Sequence, residues 1–262
     1  MKKPSAVSDQ ELKEDKKENT MPLLVQLVVR CGMALAAFVP LWVHLVVGWV
    51  LAIATLAMVG FYVPAADVKI GESYLIFFYH FPSAVNCLNM FLFAGAVSLV
   101  YLIWRSPRAD LWAASAVEVG VLACTVTLAT GSVWAKAAWG IWWEVTDPRL
   151  MSVAVMWLIY VAYIALRNTI DEPVKRARFC AVFGILAVLN VPMVLFSIRV
   201  LGQVSHPPME VTMGETSMVL TRWFGAAGFL VLYTAFWRLR YRVHAYKYEG
   251  LRLEEGFSRA GI

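Results

Sequence analysis

The sequence predicts an all-α, polytopic membrane protein with six transmembrane helices, both termini cytoplasmic, and an N-terminal interfacial helix. Three observations carry that prediction. Hydrophobic residues make up 60% of the chain and charged residues only 16%, whereas soluble domains carry about 25% charged residues. Apolar runs at 41–63, 75–104, 111–131, 150–166, 179–200 and 218–237 each approach the length of about 20 residues that a helix needs to cross the hydrocarbon core. The cations are also segregated. Arg105 and Arg108, then Lys175, Arg176 and Arg178, then Arg238, Arg240, Arg242 and Lys247 mark three segments as cytoplasmic, because short loops rich in Lys and Arg stay inside.

Residues 1–22 are charged and polar, without an apolar h-region, and read as a disordered cytoplasmic tail with no signal peptide. Residues 23–40 are apolar, but Gln26 and Arg30 interrupt them and Pro40 closes them. An amphipathic helix lying in the interface suits that pattern better than a seventh span. Residues 41–240 form the six-helix domain, and 241–262 a cytoplasmic tail. Alternation then places 64–74, 132–149 and 201–217 outside. The net charge of +5 reflects cytoplasmic cations that meet anionic headgroups, and it does not argue for nucleic acid. The four cysteines, at 31, 87, 124 and 180, lack C-x-x-C spacing, so neither a disulfide framework nor covalent c-type haem attachment is expected.

The external segment 132–149 holds Trp134, Trp139, Trp142 and Trp143, with Lys136 and Arg149 beside them. Indoles favour lipid interfaces, yet anchoring needs only one or two per helix end. Four form a broad, flat aromatic surface, and beside two cations that surface suits a large planar acid such as a porphyrin with its propionates. Two of the four histidines, His80 and His206, fall on the same face. That face was assigned from Arg and Lys positions alone, so the convergence is independent. Neutral imidazole is a common axial ligand of haem iron, which makes these two the expected axial pair.

Each residue also has a plainer reading. A histidine near a helix end often serves as a hydrogen-bonding partner, and tryptophans form interfacial belts. Asp147 before Pro148 is an ordinary helix start. His44 is expected to bond a neighbouring helix, His244 to belong to the basic tail, and Asn86, Asn89, Glu118 and Asn190 to make interhelical hydrogen bonds. A small-solute permease subunit would also satisfy six spans with intramembrane asparagines, although it leaves the tryptophans and paired histidines without a role.

The stretch Thr130-Gly-Ser-Val-Trp134-Ala-Lys136, continuing through Trp139-Gly-Ile-Trp142-Trp143 to Asp147-Pro-Arg149-Leu150, resembles the signature of the haem-handling WWD-domain proteins. Within them it is most similar to the haem exporter protein C, or cytochrome c maturation protein C, family. Gly71-Glu-Ser-Tyr74, Tyr79-His80-Phe81-Pro82, Leu189-Asn-Val-Pro192, His206 and Leu220-Thr-Arg222-Trp223 extend the likeness over most of 41–240. It departs at Glu144–Asp147, where one residue is added and a tryptophan is missing.

The resemblance implies a haem-binding subunit of the bacterial inner membrane, not itself an enzyme. It would present haem b at the outer face and pass it to a membrane-anchored periplasmic haem chaperone for c-type cytochrome biogenesis. His80 and His206 would be the axial ligands, the tryptophans with Asp147 the platform, and Arg149 and Arg222 candidates for propionate pairing, since a guanidinium matches a carboxylate bidentately. Both arginines read equally well as anchors to lipid phosphate. The implied partners are ABC transporter ATPase and permease subunits and a small single-span subunit, and the chain has no P-loop of its own. Lyase-type members of the wider family carry extra intramembrane histidines, and this chain offers only His44 there.

Overall fold

A computed structural model describes residues 39–63, 75–201 and 216–260. The described residues form seven helices: α1 Leu41–Phe61, α2 Phe77–Trp104, α3 Pro107–Trp139, α4 Pro148–Thr169, α5 Pro173–Val188, α6 Asn190–Leu201 and α7 Thr216–Ala260. With α5 and α6 counted as one span, six are long and apolar enough to cross a membrane. The all-α, six-span reading therefore holds. The tail expected over 1–22 and nearly all of the interfacial helix expected over 23–40 lie outside the described residues; Val39 and Pro40 are non-helical, and Pro40 forms the N-cap of α1.

Several boundaries differ from the sequence reading, each for a local reason. The third span was expected to end at 131, with 132–149 as loop, but α3 continues to Trp139. Residues 132–139 contain no breaker, and the helix stops only where Gly140 takes φ +78° and donates its N–H to the Lys136 carbonyl, a conformation open to glycine because it lacks Cβ. The connecting loop is therefore 140–147. The last span was expected to end near 237, yet α7 runs 45 residues, roughly 67 Å at 1.5 Å per residue. That is about twice the hydrocarbon thickness. The fifth span is interrupted at Leu189, whose N–H turns to the Leu186 carbonyl. Pro192 supplies no N–H for the turn before it and sits in the first turn of α6, where it is tolerated.

Short connections make α2, α3, α4 and α5 successively antiparallel. The core lies between α2, α3, α4 and α5, where the buried Phe91 and Tyr160 rings stack at 3.6 Å. α1 lies against α7 through small residues: a Cβ on Gly48 would come within 2.8 Å of the Leu232 Cα, and one on Gly228 within 3.0 Å of the Leu51 Cβ. Close backbone approach of this kind is how helices pack where no hydrophobic driving force separates protein from lipid. The other side of α1 exposes Trp42, Trp49, Val50, Ile53 and Phe61, as a lipid-facing surface should. Cations gather at one end of the bundle, and His80 sits at the opposite end.

Candidate functional site

The His80 end is assembled from the end of α1 and the starts of α2 and α7. Val59, Val63, Phe78 and Met218 pack there with Leu75 and Tyr79. Pro82 lies inside α2 and has no N–H to offer the Phe78 carbonyl. Gly225 of α7 approaches that region, with its Cβ position 3.3 Å from the Pro82 ring and 3.6 Å from the Phe78 oxygen. Asn86 Nδ2 donates to the Pro82 and Ala226 carbonyls at 2.8 and 3.2 Å, tying α2 to α7. The expected interhelical role of Asn86 is thereby met.

These contacts orient His80 toward α3. Its Nδ1 lies 3.1 Å from the Thr127 carbonyl oxygen and 3.2 Å from Thr130 Oγ1. A carbonyl can only accept, so the proton resides on Nδ1 and Nε2 keeps its lone pair. Among the described residues nothing bonds Nε2. This is the tautomer a metal-ligating histidine needs, held by the kind of partner that usually holds one. Gly131 makes the approach possible: a Cβ there would stand 3.0 Å from His80 Cε1.

Beside His80, the Phe81 ring is buried, and Arg222 of α7 places its guanidinium carbon 5.5 Å from that ring and 5.2 Å from the Trp223 ring. Arg222 Nε is buried without a hydrogen-bond partner among the described residues. A cation beside two aromatic rings with an unmade donor has a hydrogen bond left to give to an anion.

The four predicted tryptophans do not form one flat shelf. Trp134 and Trp139 project from the last turns of α3 and meet edge to face, centroids 4.9 Å apart at 75°, so they cannot both lie face-on to a planar ligand. Trp142, in the loop, is 59% exposed, and Trp143 is half-buried. Lys136 Nζ donates to the Gly140 carbonyl at 2.7 Å and lies 6.0 Å from the Trp142 ring centroid. The Thr146 hydroxyl and N–H both bond Glu144 Oε1, and they hold that carboxyl below the usual range.

Asp147 is fully buried and caps α4, accepting from the Arg149 and Leu150 N–H groups at 3.0 and 3.1 Å. The capping reading of Asp147 is the one the geometry carries. Arg149 follows in the first turn of α4, half-buried. His206 lies outside the described residues. Sequence reasoning gave no role at the site to Thr127, Thr130, Phe81 or Trp223, although the last three stand in the family-like strings. Thr127, Thr130 and Gly131 are spaced as one helix face, the available signal, but nothing in the sequence pointed that face at His80.

At the other end, His44 is used on both nitrogens. Arg238 Nη1 donates to Nδ1 at 2.9 Å, so Nε2 carries the proton toward Thr234 Oγ1 at 3.3 Å. It has no lone pair left for a metal. His244, assigned by sequence to the basic tail, lies on α7, which continues past the expected boundary, and its Nε2 is 3.0 Å from Glu118 Oε1.

Residues 28–255 match the sequence model of the family described as heme exporter protein C. The chain belongs to that family. Curated relatives of the same description include proteins of Paracoccus denitrificans, 31% identical over 74% of this chain and 84% of the relative, and Bradyrhizobium diazoefficiens, 34% identical over 58% and 57%. A third, from Escherichia coli, is 31% identical over 60% of each chain. The chain thus spans a little over half of the Bradyrhizobium and Escherichia relatives. The likeness to the heme exporter protein C family on which the sequence reading rested is upheld.

Proposed function

We propose that this protein binds haem at the His80 end of the bundle and delivers it for c-type cytochrome maturation. The face bearing His80 is the outer face of the bacterial inner membrane, and the cation-rich end, with both termini, is cytoplasmic. The observation that carries the reading is the Nδ1 bond from His80 to the Thr127 carbonyl, which leaves Nε2 free to take an axial position on haem iron. His206 is the second ligand. Arg222 supports the reading, since its orphaned Nε suits a propionate carboxylate. Arg149 is the second propionate partner, and Trp142 and Trp143 with the Trp134–Trp139 pair supply the aromatic contact surface. Asp147 contributes by fixing where α4 begins, and so where Arg149 stands.

The haem is haem b, held as cargo and passed to a membrane-anchored periplasmic haem chaperone, so the protein acts as a delivery subunit and not as an enzyme. ABC transporter ATPase and permease subunits and a small single-span subunit complete its complex. The engagement of both His44 nitrogens favours this compact role over a lyase that holds a second haem within the bundle. The test is spectroscopic. Purified protein should show one Soret band, assignable to one haem environment, which His80→Ala and His206→Ala each weaken and the double variant abolishes. A Soret band of unchanged intensity in the folded double variant would overturn the reading.

A further inference from the structure

At the cation-rich end, α3, α4, α5 and α7 line a cavity of about 270 Å³ whose charged lining is Asp110, Glu118, Arg167, Arg176 and Lys247, with His244 beside them. The charges do not cancel. Asp110 is taken by Arg167 through two parallel bonds at 2.7 and 2.6 Å. Glu118 is taken by His244 and by Arg240 from outside the cavity. Arg176 and Lys247 remain, and neither makes an ion pair among the described residues.

Arg176 is the more informative of the two. Its Nε is buried without a hydrogen-bond partner among the described residues, and an unmade bond from a buried guanidinium is costly. It also stands in the first turn of α5, where the helix dipole is positive and a cation is the wrong sign. Pro107 and Pro173, the first residues of α3 and α5, line the same cavity, so the positive dipole ends of two helices add to the excess positive charge. Such an arrangement is relieved by an anion. The volume is below that of ordinary drug-sized sites, which restricts the anion to a small group. A guanidinium fork beside an ammonium matches a tetrahedral oxyanion.

We propose that this cavity is a phosphate site, in which Arg176 and Lys247 hold the phosphate of an anionic lipid headgroup or a free phosphate. It lies where spans meet the membrane boundary, so either source can reach it. The site is separate from the His80 end and does not depend on the haem reading.

The experiment uses the delipidated full-length protein in detergent, with inorganic phosphate and, separately, phosphatidylglycerol or phosphatidylcholine nanodiscs as probes. Binding is read by thermal stabilisation and by lipid retained in native mass spectrometry. Phosphatidylglycerol retained over phosphatidylcholine identifies the lipid source, and stabilisation by inorganic phosphate alone identifies the free anion. In either case Arg176→Gln should weaken binding about tenfold or more, Arg176→Lys should restore part of it, and Arg178→Gln, an exposed cation on the same helix outside the cavity, should change nothing. If Arg176→Gln fails to fold, Lys247→Gln, at an exposed position, carries the test. The proposal is overturned if neither probe binds above the phosphatidylcholine baseline. Equal losses from Arg178→Gln and the cavity variants, or no loss from the cavity variants, would overturn it as well.

Discussion

Gly131→Ala tests the histidine geometry with a single methyl group. The new Cβ would stand 3.0 Å from His80 Cε1, whereas ordinary contact begins at 3.4 Å, so the imidazole must recede by about 0.4 Å. Thr127 lies one turn before Gly131 on the same face of α3, and the same movement stretches the 3.1 Å bond from Nδ1 to its carbonyl to about 3.5 Å, beyond the N–H···O range. Loss of the orienting partner of a metal-ligating histidine typically lowers affinity about 10- to 100-fold. Stability should move the opposite way, since Ala is favoured over Gly in a helix interior by up to about 1 kcal/mol. The assay is haem titration of the purified variant followed at the Soret band, with the thermal midpoint measured on the same sample. Gly60→Ala, where an added Cβ meets open space, is the control. Wild-type haem affinity in a folded Gly131→Ala protein would refute the claim that the Thr127 bond prepares His80.

Removing one partner of the buried pair between Asp110 and Arg167, whose side chains are 11% and 10% exposed, should cost about 3–5 kcal/mol by stranding the other charge; Asp110→Ala should therefore melt far below wild type, and Asp110→Ala with Arg167→Leu should recover much of the loss. Asp147→Ala removes the α4 cap and should lower stability by about 1 kcal/mol, with Asp147→Asn close to wild type in the same melt. Trp142→Ala should weaken haem binding roughly two- to tenfold, the worth of one aromatic contact, with no change in melting temperature, because the ring is exposed. Thr130→Val leaves the backbone acceptor of His80 in place, so its effect on haem titration should stay within about 1 kcal/mol.

Particular residues show how far the sequence could be read. Asp147 with Pro148 was legible as a cap because a cap is made within three residues of itself. The end of α3 was not, because polarity at Ser132 and Lys136 resembles a loop while their backbone preferences remain helical until Gly140. The same error shortened α7: Arg and Lys mark a membrane boundary, but they do not end a helix. The tryptophan cluster was recognisable as an unusual feature, yet its shape was misjudged, since Trp134 and Trp139 project from a helix whose turn sets them at 75°.

The length and spacing of apolar runs by themselves determine that this chain makes six membrane-spanning helices, because a bilayer of given thickness admits only segments whose backbone groups are bonded internally. Family membership is likewise written in local strings of residues. Which side chains meet is decided only by tertiary structure. His80 finds Thr127 across 47 positions, Asp110 finds Arg167 across 57, and Glu118 finds His244 across 126. Such pairings depend on how each helix is rotated against its neighbours, and that rotation is set by the close packing of every other side chain in the bundle.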